Sequence, residues 1–294
     1  AGMSACRLQT GRSAIDAWPD CFIFFDRVLQ LLRGLTAALD VSQSYIEIMT
    51  PFARKALLEA EGLSELPPVN VEGEDSIGGV KELLERLLSD GSMLGAQVSV
   101  TRGGKPLVEL CGGRASPYAS APVTPDTLFN CFSVSKGVAA AAVWRLASKG
   151  LIDISAPVVR YWPAFAKEGT RKARTTVAHV LGHQAGLADA GLEEMKRDPF
   201  AACNSETMLK VLEEAEPDSE PGTTTKYHYL TFGWLVDGIV RGAAGVPLAQ
   251  YVQTEIAPLI GMEGELKIGL GEGYAESEEL TKRLATLVVS MDLP

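Results

Sequence analysis

Ser133-Val134-Ser135-Lys136 places a hydroxyl and a primary amine three residues apart. On a helix, positions i and i+3 share a face, so the Lys136 amine would lie beside the Ser133 hydroxyl. A serine hydroxyl is a weak nucleophile until a neighbouring base takes its proton, and this spacing offers such a base. Lysine plays that part where burial and nearby positive charge favour the neutral amine. A helix N-terminus adds partial positive charge, which suits an oxyanion forming nearby. The tetrad by itself also fits a capping serine followed by a surface lysine.

Other chemistry-bearing residues are few. The three histidines are His179, His183 and His228. His179 and His183 have the i, i+4 spacing of a helical zinc pair, but Val180 stands where a metalloprotease has glutamate. No metal and no organic cofactor is expected. Gly269 to Gly273 lacks the spacing and context of a dinucleotide fingerprint, and no G-x-S-x-G elbow occurs. Cys131, two residues ahead of Ser133, reads as a small core residue rather than a second nucleophile.

The elements that must position these residues are legible as patterns. An amphipathic helix is expected over Val80, Leu83, Leu84, Leu87 and Leu88, ending at Asp90-Gly91. Two strand-like runs, Ala96 to Val100 and Pro106 to Cys111, flank the turn Arg102-Gly103-Gly104, which predicts a hairpin. A helix from about Ser133 to Lys149 follows, with Gly150 as its cap. Shorter helices are expected at 177–182, 205–214, 230–240 and 248–256. Upstream, the first twenty residues lack periodicity. Phe25 to Leu39 carries an apolar helical face, and a second helix runs from about Ser44 to Glu61. Leu63 to Gly73, with Pro67-Pro68, reads as a linker.

Composition limits the function classes. The chain has 294 residues, of which 46% are hydrophobic and 22% charged, an ordinary globular balance. The net charge of −10 argues against nucleic acid or an anionic membrane as main partner. Five cysteines, an odd number without C-x-x-C, point to reduced thiols and an intracellular setting, cytoplasmic or organellar. No secretory signal and no membrane span is read in the sequence.

Five ordered blocks then carry a resemblance. Asp126 to Gly137 resembles the nucleophile segment of the serine β-lactamase and penicillin-binding-protein superfamily, in its class C and esterase branch. Leu151 to Val158 with Tyr161-Trp162-Pro163, Thr176 to Leu187, Pro221-Gly222-Thr223 with Tyr227-His228-Tyr229, and Pro258 to Met262 resemble the blocks that follow. The resemblance covers about residues 78–294. It implies an α+β fold, an antiparallel sheet flanked by helices with an all-helical subdomain. It implies Ser133 as nucleophile, Lys136 as its activator, and Tyr227 as the group that hands a proton to the leaving group. It places His183 as a structural residue near the site wall.

Two departures stand out. The superfamily's Tyr-x-Asn motif ends here in Tyr229, and a phenol lacks the paired donor and acceptor of a carboxamide. β-Lactam recognition is therefore not expected, ester cleavage stays open, and His228 and Tyr229 become the candidate substrate-binding residues. The third motif, Lys or His then x-Gly on a late strand, is not found. Lys267-Ile268-Gly269 comes too early and reads as a surface turn, so the fold is expected to lack its C-terminal strands. Val28 to Leu35 and Tyr45 to Ala53 resemble the tail of UbiB-type atypical kinases, some of which are fused to such domains.

The expected organisation is thus 1–75, a helical extension and linker left from an upstream kinase-like domain, then 76–294, a β-lactamase-like serine hydrolase domain. The expected substrate is a small ester or amide-like acyl donor, cleaved through an acyl-enzyme. The alternative is a non-catalytic module of the same fold that binds a partner or regulates the fused kinase-like region. A peptidase for D-amino-acid peptides fits the tetrad but not an intracellular setting.

Overall fold

A computed structural model describes residues 70–117, 121–198, 201–269 and 278–287. The two upstream helices, most of the linker and the kinase-like stretches lie outside the described residues. The architecture is α+β, and the described residues divide into two compact units, one running to Phe129 and joined by 282–287, the other between Asn130 and Thr281.

The first unit holds a three-stranded antiparallel sheet in the order β1-β3-β2. β1 is Val71–Asp75, β2 Gly95–Arg102 and β3 Lys105–Gly113. The hairpin forms where expected. Gly103 and Gly104 both adopt positive φ, 57° and 74°, the backbone of a two-residue turn whose twist matches the flanking strands. The strands run longer than their apolar alternation suggested. β1 is a difference: its residues read as linker, yet Val71 to Asp75 pair with Gly112 to Val108 of β3. Only Val71 in it is buried, so the neighbouring strand rather than its own pattern makes it a strand.

Helix α1, Val80–Ser89, packs Leu84 and Leu88 against Val71, Val108 and Leu110 of that sheet, while Leu83 faces out. The Asp75 carboxylate receives the N–H groups of Ile77, Gly78, Val80 and Lys81, which ties the strand end to the start of α1.

The second unit is helical among its described residues. It comprises α2 (Ser135–Ser148), α3 (Val177–Leu181), α4 (Leu192–Arg197), α5 (Ser205–Glu214), α6 (Thr231–Ala244) and α7 (Leu248–Tyr251). The helix predicted over 248–256 changes to a π-turn after Tyr251. Ala139, Ala142, Val143 and Leu146 of α2 share one buried cluster with Phe232, Leu235, Val236 and Ile239 of α6. Small alanines on α2 let the helices approach closely. Each fully buried aliphatic side chain here contributes about 1.5–3 kcal/mol.

One buried cation belongs to this core. Lys172 is 2% exposed and its ammonium donates to the carbonyls of Leu212 and Glu213, at 2.6 and 2.8 Å. It thereby closes the C-terminal end of α5, where partial negative charge gathers. The Phe165 ring lies 4.8 Å beneath it. Burial pushes its pKa down to about 8, against the pull of Glu216 and Glu213.

Candidate active site

The nucleophile segment does not begin as an α-helix. A 3₁₀ turn spans Phe132–Val134, and α2 starts only at Ser135. Asn130 organises the turn by accepting the Phe132 N–H at 3.0 Å. Phe132 itself takes φ 45°, a left-handed backbone that an aromatic residue holds only when its surroundings impose it. The outcome is a serine raised to the surface, with Phe132 and Val134 exposed beside it. Cys131 is exposed as well, which corrects its reading as a core residue.

Lys136 follows one turn later on α2. Its Nζ donates to the Ser133 hydroxyl at 3.2 Å and to the Tyr229 carbonyl at 2.8 Å. The same amine stands 4.9 Å from the Tyr227 ring centre and 5.6 Å from that of Tyr229. Tyr227 closes the group from 94 residues away, its phenol donating to the Ser133 oxygen at 2.8 Å. Three side chains named from the sequence thus converge on one oxygen. The hydrogen bond to Ser133, with Lys136 beside it, draws the phenol below its ordinary range. A phenol so shifted gives up its proton more readily than a free tyrosine.

Tyr227 and Tyr229 lie on one tight turn, closed by the Tyr229 N–H donating to the Tyr227 carbonyl at 3.0 Å. Tyr229 is 62% exposed and its ring flanks the amine. Its carbonyl, not its hydroxyl, orients Lys136, a contact no side-chain motif could reveal.

His228 is placed differently from the expected substrate contact. It is fully buried. Its Nε2 accepts the Leu187 N–H at 3.2 Å and its Nδ1 faces the Lys226 carbonyl at 2.7 Å. Both ring nitrogens are spent inside the protein, so none remains for a substrate. Burial lowers its pKa, which favours the neutral ring.

His183 is the residue that sequence reasoning left at the wall. It takes φ 57°, its Nδ1 accepts the His228 N–H at 3.1 Å, and its carbonyl accepts the Lys226 N–H at 3.0 Å. Its ring packs 4.9 Å from Tyr227 and 4.9 Å from Phe232. Its signals in the sequence are the i, i+4 spacing with His179 and its place in the block Thr176 to Leu187. His179, the other member of the supposed zinc pair, instead completes a capping box with Thr176 at the start of α3. A side chain at Gly222, φ 86°, would run into the His179 ring at 2.7 Å, so the tyrosine loop needs glycine there. Among the described residues no group of three His, Cys, Asp or Glu side chains gathers as a metal site would require. Lys267 to Gly269 forms a bend, with Ile268 half-buried against the helical core.

Comparison with known proteins gives the family. Esterase/beta-lactamase LipL of Mycobacterium tuberculosis is 33% identical over 204 residues, 68% of this chain and 43% of LipL. A family VIII carboxylesterase structure superposes with a TM-score of 0.64 at 30% identity, covering 74% of this chain and 57% of that one. A penicillin-binding-protein homologue from Caulobacter crescentus gives a TM-score of 0.66 at 30% identity, over 76% and 58%. The chain spans about half the length of the relatives it matches. The family profile described as Beta-lactamase covers residues 80–264, which takes in Ser133, Lys136 and the tyrosine turn together. By fold, by sequence and by the order of its motif blocks, this chain belongs to the beta-lactamase family.

Proposed function

We propose that the chain is a serine hydrolase that cleaves small esters through an acyl-enzyme. The observation that carries this reading is the shared oxygen: Ser133 Oγ lies within hydrogen-bond reach of both Lys136 and Tyr227. In the proposed cycle Ser133 attacks the ester carbonyl while its proton moves to the Tyr227–Lys136 pair. The tetrahedral intermediate collapses, the phenol returns the proton to the leaving alkoxide, and an ester to Ser133 remains. Water then attacks that ester with the same pair as base, releasing the acid and restoring the serine. The name of the family VIII carboxylesterase supports ester cleavage, while that of LipL, Esterase/beta-lactamase, takes in both esters and β-lactams. Tyr229 supports the same preference, because it offers no carboxamide to an acyl-amide group.

The test is a panel of p-nitrophenyl esters and a chromogenic β-lactam, each with the wild type and with Ser133→Ala. Ester turnover that vanishes in the variant, with little β-lactam turnover, is the expected result. Turnover equal in both proteins contradicts it. A non-catalytic binding module is the second reading, favoured by the loss of the amide at Tyr229; wholly absent turnover with intact folding supports it. The UbiB-like stretches between residues 28 and 53 support a kinase-like fusion partner upstream, and the odd cysteine number supports an intracellular compartment. Sequencing the transcript upstream tests the first, and fractionating cells tests the second.

A further inference from the structure

Resting on that hydrolase reading, we infer that His183 and His228 form a paired positioning device that works only while both rings are neutral, and that it makes the tyrosine loop sensitive to acid. The hydrogen bonds assign the tautomers. His228 Nε2 accepts from Leu187 N–H, so its proton sits on Nδ1 and points at the Lys226 carbonyl. His183 Nδ1 accepts from His228 N–H, so its proton sits on Nε2. Tyr227 lies between the two residues tied in this way: the carbonyl before it is held by one ring, and the amide after it by the other. Its own ring rests on His183.

Protonating either histidine sets an N–H donor against a backbone N–H donor. For His183 the lost acceptor is the one that fixes His228, and with it the phenol one residue upstream. Such a clash removes a buried hydrogen bond and adds a desolvated charge. The charged groups facing the pair act in a definite sense. Lys136 of α2 and the neighbouring His228 disfavour a cation on His183, adding to its burial. Around His228, Asp218 and Asp189 favour the cation and Lys226 opposes it, but burial outweighs them. Asp189 and Asp218 are themselves engaged with the Lys226 ammonium. The backbone at His183 adds an independent mark. Its φ of 57° is costly for a branched aliphatic residue, but asparagine tolerates it, and asparagine also offers an oxygen close to the Nδ1 position.

The experiment uses the whole chain and three variants: His183→Leu, His183→Asn and His228→Gln. Two readouts are taken on each, with thermal melts as the folding control. One is the rate of fluorophosphonate labelling of Ser133 from mildly acidic to mildly alkaline pH. The other is the titration of the Tyr227 phenol by carbon-13 tyrosine NMR, assigned with Tyr227→Phe.

His183→Leu is expected to slow labelling by about 10- to 100-fold across the whole range, as misplacement of a reacting group does. Its phenol titration should return toward the ordinary value. His183→Asn should recover most of the neutral-pH loss and should flatten the acid limb expected in wild type. His228→Gln, which keeps an acceptor near Nε2, is the second variant should His183→Leu fail to fold, and it should also move the phenol titration. A folded His183→Leu with wild-type labelling and a wild-type phenol titration overturns the proposal. If wild type is never labelled, yet the phenol titration shifts in these variants, the positioning role stands and the hydrolase reading falls.

Discussion

The turn that carries Ser133 and the loop that carries Tyr227 meet at one oxygen, but they are held in place by different means. The serine and its lysine stand at positions i and i+3, and the 3₁₀ turn running into the first turn of α2 brings them together. The tyrosine is brought in by a net of long-range bonds: Lys226 to His183, His228 to His183, His228 to Leu187 and Gly222 to Gln184. Half of the site is therefore local, and half is contingent on the packing of the buried His228 ring and the half-buried His183 ring. Substitutions in the first half should alter chemistry and leave the fold alone. Substitutions in the second should alter both.

The largest expected effect breaks the local half. Ser133→Ala removes the nucleophile, and covalent labelling by a fluorophosphonate should disappear while the melting temperature stays unchanged. Next come the proton-handling groups. Lys136→Ala and Tyr227→Phe should each lower the acylation rate by about 10²–10⁴-fold, the usual worth of a positioned general base or acid. Stopped-flow with an activated ester measures this, and the double variant should lose less than the sum of the two, because both groups serve the same oxygen.

Lys172 sharpens the comparison from another side, as a lysine placed by long-range packing rather than by helical spacing. Its folded-state pKa of about 8 lies below the ordinary lysine value of 10.5 that holds in an unfolded chain. At lower pH both states are charged and the folded state bears the whole cost of burying the cation. As pH rises from about 8 toward 10.5 the folded state sheds its proton first, so this residue's contribution to stability improves. Lys172→Met should abolish that rise, which amounts to at most about 3 kcal/mol by the conversion of 1.36 kcal/mol per pKa unit. Denaturant melts of the two proteins across this pH window give the difference directly.

The smallest effect is His228→Leu. It leaves the Leu187 N–H without its acceptor in the interior, which should cost about 1–3 kcal/mol in urea unfolding. An equal loss of stability from Ser133→Ala would erase the contrast between the two halves.

What the sequence makes legible follows the same division. Ser133 and Lys136 are readable from four letters because their contact spans a single local turn, from the 3₁₀ entry into α2. The hairpin was readable from Gly103-Gly104, whose positive φ values only that turn type requires. Tyr227 entered solely through the resemblance, since nothing local marks a tyrosine 94 residues away as a partner of the serine. The sequence offers His228 as a substrate contact because it lies between the two tyrosines, where it could replace the hydrogen bond of the missing asparagine. Its burial depends on Leu187 and Lys226 arriving from either side, which no periodicity encodes. Strand β1 was missed for a similar reason: Glu72, Gly73 and Glu74 look like loop, and only pairing with β3 makes them strand. The 3₁₀ entry to α2 was missed because the Asn130 side chain diverts the backbone just before Ser133.

The central claim is that the local turn and the long-range loop converge to activate one hydroxyl. Incubation with p-nitrophenyl acetate, quenched in acid and mapped by peptide mass spectrometry, tests it most directly. A single acetyl group on Ser133, lost in Ser133→Ala and much reduced in Tyr227→Phe, is the result predicted. Acetylation on exposed Cys131, or scattered over surface lysines with Ser133 unmodified, would contradict it.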